Sequence, residues 1–289
     1  MSQLTTTKME RRAAPVILRP TLCAETTASL LAVSRLWKVR LRFRKGCLMQ
    51  SGDEALFVGA ADSSPGPYHL LLSPADWGRL ADWDAGSLVS AQGGRLERGG
   101  LVVDPAASAV YGVSPAALDA AGAAWAERRL SRFLLAENPE TGFGGRAAAI
   151  FNKGGSFPFS PADLAESRRR LEMLAWLIGR GPGLTPSGDD FIIGLMALSP
   201  PWLELPEQMA ALLGRRQNLT GLVSLAYYRA ALARRFDHNL CLATRAAARR
   251  DEKTFDQALA RLLAHGRTSG ADLLCGALFT LKMKGYGHD

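Results

Sequence analysis

"GRGPGLTPSGDDFIIGLMAL", residues 179–198, sets glycine, proline, hydroxyl and carboxylate side chains directly before an unbroken apolar run. The run predicts a buried helix from Ser187 to about Leu198, stopped by Pro200-Pro201. The stretch has a partner. Ser187-Gly188-Asp189-Asp190 followed by three apolar residues and Gly194 returns as Ser269-Gly270-Ala271-Asp272, three apolar residues and Gly276, 82 positions later. Serine at a helix N-cap and an acid three residues on form a capping box, so Ser187 with Asp190, and Ser269 with Asp272, are expected to start two helices. Capping does not explain Gly194 or Gly276. A helical glycine costs about 1 kcal/mol relative to alanine, and close approach of a second backbone is a reason to accept that cost. The two helices are therefore expected to cross at these glycines, with their starting loops side by side.

Two helix starts in one volume would turn backbone N–H groups toward a phosphate or carboxylate. In the alignment Asp190 and Asp272 are spent on capping, and Asp189, which faces Ala271, is the spare carboxylate. It is a candidate proton acceptor, Mg²⁺ ligand or partner of a substrate amide, with favourable placement at the helix dipole as the plainer alternative. Asp189, Asp190 and Thr185 form the candidate catalytic set. Gly183, Ser187, Gly188, Arg267, Thr268, Ser269, Gly270, Asp272 and Lys153 form the candidate anion-binding set. Gly181 and Gly183 suit positive-φ turns, while Pro182 and Pro186 limit the loop's freedom. The Lys-Ser/Thr ending of a P-loop is absent, and no βαβ pattern surrounds the glycines. Beyond Mg²⁺ at Asp189, no cofactor or metal site is expected.

Outward from this core the chain has two periods. Trp37, Val39, Leu41 and Phe43 alternate with Lys38, Arg40, Arg42 and Arg44, predicting a strand with one buried face. Further strands are expected at 55–59, 68–72, 88–92, 94–97 and 101–104, with glycine-pair hairpins at 93–94 and 99–100. After Asp104-Pro105 the pattern turns helical. Helices are expected from Ser114-Pro115 to about Glu137, from Pro161 to Ile178, from Ser187 to Leu198, and about four more beyond Leu203. The fold class is α+β: an N-terminal antiparallel β-rich domain, sheet or partial barrel, over residues 21–105, then an all-helical domain over 106–289. Residues 1–20 read as a loose arm. The glycine-rich segment 141–161 is long enough to cover a site.

The 289 residues carry a net charge of +8, and only seven of the 35 basic residues are lysine. That charge suits nucleic acid or anionic metabolites, but the arginines are scattered and no aromatic residue shares the basic face of 38–44. Nucleic acid ranks last among the readings. Cys23, Cys47, Cys241 and Cys275 form no CxxC pair, and the four histidines lack ligand spacing. Buried free thiols in a reducing cytosol are expected. The apolar runs fall short of the roughly 20 residues that span a bilayer.

The sequence Gly181-x-Gly183-Leu184-Thr185-Pro186-Ser187-Gly188-Asp189-Asp190-Phe191 with Gly194 resembles the signature of the AllH-like family. Gly266-x-Thr268-Ser269-Gly270-x-Asp272-x-Leu274-x-Gly276 is similar to its second motif, and Thr220-x-x-x-Ser224 to a weaker third. Pro67-Tyr68-His69-Leu70-Leu71-Leu72 also fits. The resemblance implies a cytoplasmic subunit of oxamate carbamoyltransferase, which converts oxalurate and phosphate into oxamate and carbamoyl phosphate in anaerobic allantoin degradation, beside AllG-like and FdrA-like subunits. All these small molecules are anions, and helix-terminal N–H groups could stabilise oxyanion charge in a direct attack by phosphate. A catalytic subunit ranks first and a non-catalytic anion-binding or scaffold subunit close behind it.

Overall fold

The computed structural model describes residues 14–152, 157–215 and 220–283. Its β-rich half is a curled sheet of β1 (Val16–Leu18), β2 (Leu22–Ala24), β3 (Arg35–Phe43), β4 (Gly46–Ser51), β5 (Glu54–Ala60), β6 (His69–Leu72), β7 (Leu88–Gln92), β8 (Arg95–Arg98), β9 (Leu101–Val103) and β10 (Ala109–Tyr111). The strand order is β1-β9-β8-β7-β3-β4-β5-β6-β2-β10. The hairpins turn at Gly93-Gly94 and Gly99-Gly100, all four at positive φ. The centre is antiparallel, but β5–β6, β2–β10 and β1–β9 pair in parallel, so the sheet is mixed. Val16-Ile17-Leu18, inside the stretch read as an arm, is apolar enough to add an edge strand. Helices α1 (Glu25–Ala32) and α2 (Pro74–Arg79) cover one face of the sheet around Trp37, Val39, Met49 and Trp83.

The strand β3 does not keep one buried face. A bulge between Val39 and Leu41 shifts its register against β4. One extra residue exchanges the faces of everything beyond it. Trp37 and Val39 stay in the core under α1 and α2, whereas Leu41 and Phe43 pack on the opposite side with Leu48, Ala55 and Ala226. Arg42 takes the inner side, where its guanidinium stacks on Trp77 and donates to the carbonyls of Leu80 and Trp83. One member of the expected basic face, Arg42, thus becomes structural, and Phe43 is turned toward the helical half.

That half contains α3 (Ala120–Glu137), a two-residue hairpin β11 (Glu140–Thr141) and β12 (Gly145–Arg146), α4 (Ala147–Phe151), α5 (Ser167–Leu177), α6 (Ser187–Leu198), α7 (Leu205–Arg215), α8 (Leu222–Leu232), α9 (His238–Arg249), α10 (Glu252–Leu263) and α11 (Ser269–Leu281). Two expected starts move. α3 begins six residues after Ser114, because the backbone there is tied to α9: Ala116 N–H donates to Thr244 Oγ1 and Arg245 donates to Ser114 O. Residues 161–164 form a separate 3₁₀ turn closed by a Ser160–Asp163 capping box, so α5 starts only at Ser167.

At the centre lie α6 and α11, both apolar nearly all round and buried accordingly. They cross as the glycines require. A Cβ on Gly194 would fall well under 3.0 Å from Leu273 O, and one on Gly276 equally close to Phe191 O. Each glycine faces the other helix's backbone.

Candidate functional site

The duplication extends beyond the quoted motif. Gly188 lies against the carbonyl of Leu177, the last residue of α5, and Gly270 against that of Leu262 near the end of α10, each too close to admit a Cβ. The Gly188 N–H donates to Arg180 O at 2.8 Å, and the Gly270 N–H to His265 O at 3.2 Å. Both repeats are therefore helical hairpins whose Ser-Gly step is the inner corner, packed back to back through α6 and α11. Gly181 and Gly183 both have φ of +107°, which lets the longer first loop fold over Ser187.

The capping expectation is displaced by one residue. Pro186 and Thr268 occupy the N-cap positions, and Ser187 and Ser269 are already helical. Asp190 and Asp272 then stand at the fourth helical position, beyond reach of their own caps, and neither helix has a side-chain cap. The first-turn N–H groups are not widely open either. Besides the two glycine bonds, Asp189 and Asp190 N–H donate to Pro186 O, and Asp272 N–H to Thr268 O.

Relieved of capping, each aspartate faces the other repeat. Asp272, fully buried, sits beside Ser187 and Thr268 and accepts from the Gly142 N–H at 3.2 Å. Burial pushes its carboxyl up to about 6, against those hydroxyls and the N–H. Asp190 sits beside Ser269 and Thr185, whose hydroxyls are 3.2 Å apart. Burial holds the Asp190 carboxyl well above the ordinary aspartate range; the two hydroxyls pull it down, and the charges of Asp272 and Asp189 push it further up. Its Oδ2 is buried without a hydrogen-bond partner among the described residues.

Asp189 is not spare. Its Oδ1 accepts from Gly179 N–H at 2.8 Å and from Tyr228 O–H at 2.5 Å, and its Oδ2 accepts from the Thr220 hydroxyl. Three donors on a 2%-exposed carboxyl group make it the anchor of the first loop. Among the described residues no group of three or more His, Cys, Asp or Glu side chains converges as a metal site. Thr220 of the third motif thus reaches Asp189 from just before α8, and Tyr228 from within it.

The two repeats differ in what covers them. On the Asp272 side Gly142 fills the space, lying against Ser187 and Thr268, and Phe143 beside it is wedged against Phe157 and Phe191. On the Asp190 side there is a cavity of about 230 Å³ between α6, α8, α11 and Phe43 of the sheet. Asp190, Thr185, Ser269 and Gly270 line it. Tyr227, Arg235, Asp237 and His265 add polar groups that sequence reading missed, because none belongs to the repeat. Arg235 is paired with Glu25 at 3.0 Å, and Asp237 accepts from Ser64. Gly183 and Arg267 are exposed, and Ser187, Gly188, Thr268 and Asp272 lie on the closed side or within the packing. Lys153 falls outside the described residues.

Residues 177–281 match the family model described as oxamate carbamoyltransferase subunit AllH. The match begins at the last residue of α5 and runs through α11, so it contains both Ser-Gly corners and the Thr220 and Tyr228 hydroxyls that hold Asp189. No curated protein and no solved structure matches the chain. Among the described residues no helix is long and apolar enough to cross a membrane.

Proposed function

We propose that this chain is a subunit of a carbamoyltransferase of the oxamate type, and that it holds a small carboxylate or carbamoyl-bearing ligand on the open side of the repeat, at Asp190. The match to the AllH model supports the reaction class. The observation that carries the site is Asp190, a residue lining the cavity beside two hydroxyls, whose Oδ2 is buried without a hydrogen-bond partner among the described residues. A carboxyl that keeps its proton is a hydrogen-bond donor, and a donor there receives an oxyanion or carbonyl oxygen that a carboxylate would repel. Thr185 and Ser269 supply further donors, and the N-terminus of α11 favours negative charge.

In the reaction, a phosphate oxygen bonds the carbamoyl carbon of oxalurate and the bond from that carbon to the oxamate nitrogen breaks. The nitrogen takes up the proton that phosphate gives up. In this reading Asp190, whose Oδ2 has no partner among the described residues, carries that proton. Because the Asp272 side is closed by Gly142, this chain in our reading contributes the Asp190 side to a site shared with AllG-like and FdrA-like subunits. The four cysteines are free and buried, in keeping with a reducing cytosol.

Calorimetric titration of the purified chain with phosphate, carbamoyl phosphate, oxamate and oxalurate tests this reading. Oxamate or oxalurate should bind, Asp190→Asn should bind within a few-fold because the amide still donates, and Asp190→Ala should lose tenfold or more, about 1.4 kcal/mol. Binding by none of the four, or undiminished binding by Asp190→Ala, would refute it.

A further inference from the structure

We propose that the ligand of this cavity carries an aliphatic or aromatic tail that extends from the Asp190 end into the seam between the β-sheet and α8. The inference rests on the reading above, that Asp190 marks the ligand's polar end. Oxamate and oxalurate are polar throughout, yet beside its polar groups (Asp190, Thr185, Ser269, Tyr227, Arg235, Asp237 and His265) the cavity is walled by Phe43, Ile193, Val223, Phe236, Leu262 and Leu273. A second hollow of about 80 Å³ adjoins the first, the two sharing Phe43, Val223 and Tyr227. Its remaining walls are mainly apolar, with Phe57, Leu48, Ala55 and Ala226 among them. The polar side chains at its edge are neutral. Burial lowers His69 to about 3 and raises the Tyr227 phenol, and the two rings meet with Tyr227 Oη 3.4 Å from His69 Nε2.

The bulge in β3 creates this seam by turning Phe43 outward. Sites that take small ligands are lined mostly by apolar side chains, with a few polar groups fixing one end. Here those groups include Asp190, Thr185 and Ser269 at the helix starts, and the adjoining hollow beyond Phe43, Val223 and Tyr227 is mainly apolar. The fitting class is an oxamoyl or carbamoyl acid bearing a hydrocarbon substituent.

Titration of the full chain with oxamate, N-ethyloxamate, N-butyloxamate and N-benzyloxamate separates the two readings. Affinity should rise about fourfold for each methylene buried, until the hollow is full. Val223→Trp, which narrows the shared wall, should flatten the series while oxamate binding persists. Oxamate binding with a flat or falling series in the wild-type chain overturns the tail and leaves the Asp190 reading standing. No binding by any member overturns both.

Discussion

Gly276→Ala is expected to destabilise the chain by about 3 kcal/mol or more, read as a lowered urea midpoint. Its Cβ would enter the space held by Phe191 O, and Gly194→Ala would meet Leu273 O in the same way. Overfilling a core costs roughly 1–3 kcal/mol when side chains can yield. Here the obstacle is the backbone of a buried helix, which moves only if the whole crossing opens. The gain of about 1 kcal/mol in helix propensity does not offset that. Gly214→Ala serves as the control, since Gly214 lies in α7 with nothing within 4 Å of its added Cβ. It should raise stability by roughly 0.5–1 kcal/mol. Equal, small effects at Gly276 and Gly214 would mean that the helices do not cross there.

The second large effect is expected at Asp189. Asp189→Ala strands the Gly179 N–H and the hydroxyls of Tyr228 and Thr220, which now converge on one buried carboxylate. Each buried donor left unsatisfied costs about 1–3 kcal/mol, so the loss of a shared acceptor for three is expected to exceed about 3 kcal/mol. The helix itself tolerates alanine at this point, because Ala271 occupies the corresponding place in α11. The loss should therefore be concentrated in the first loop, with faster proteolytic cutting within 179–186 accompanying the lower urea midpoint. Tyr228→Phe, which removes one donor and keeps the ring, should cost less, about 1–3 kcal/mol. A change below 1 kcal/mol for Asp189→Ala would show that the anchor is not there.

The crossing was legible in the sequence because a glycine inside an apolar helix has few explanations, and two at matched positions have fewer. The change from strand to helix patterning was legible too, since period two and period 3.6 are both local signals. What failed was nonlocal. The roles of Asp189 and Asp190 are exchanged relative to the alignment because Tyr228 and Thr220, more than 30 positions away, satisfy the first and not the second. The cap register slipped by one because Thr185, Pro186 and Ser187 all suit a helix start, as do Thr268 and Ser269, and only the backbone angles choose between them. The β3 bulge leaves no trace in an alternating sequence, yet it decides that Phe43 lines the cavity. The parallel edge strands β1 and β10 are three residues each, too short for a periodic signal.

One half of the duplicated hairpin is filled by Gly142, while in the other Asp190 lines a cavity with its carboxyl held by burial above the ordinary aspartate range. Carbon-13 NMR of the aspartate carboxyls across a pH titration measures this most directly, with the Asp190 signal identified by its loss in Asp190→Asn. This carboxyl should titrate well above the ordinary aspartate value of 3.8, and added oxamate should move it further up. A midpoint at the ordinary value, unmoved by oxamate, would contradict this.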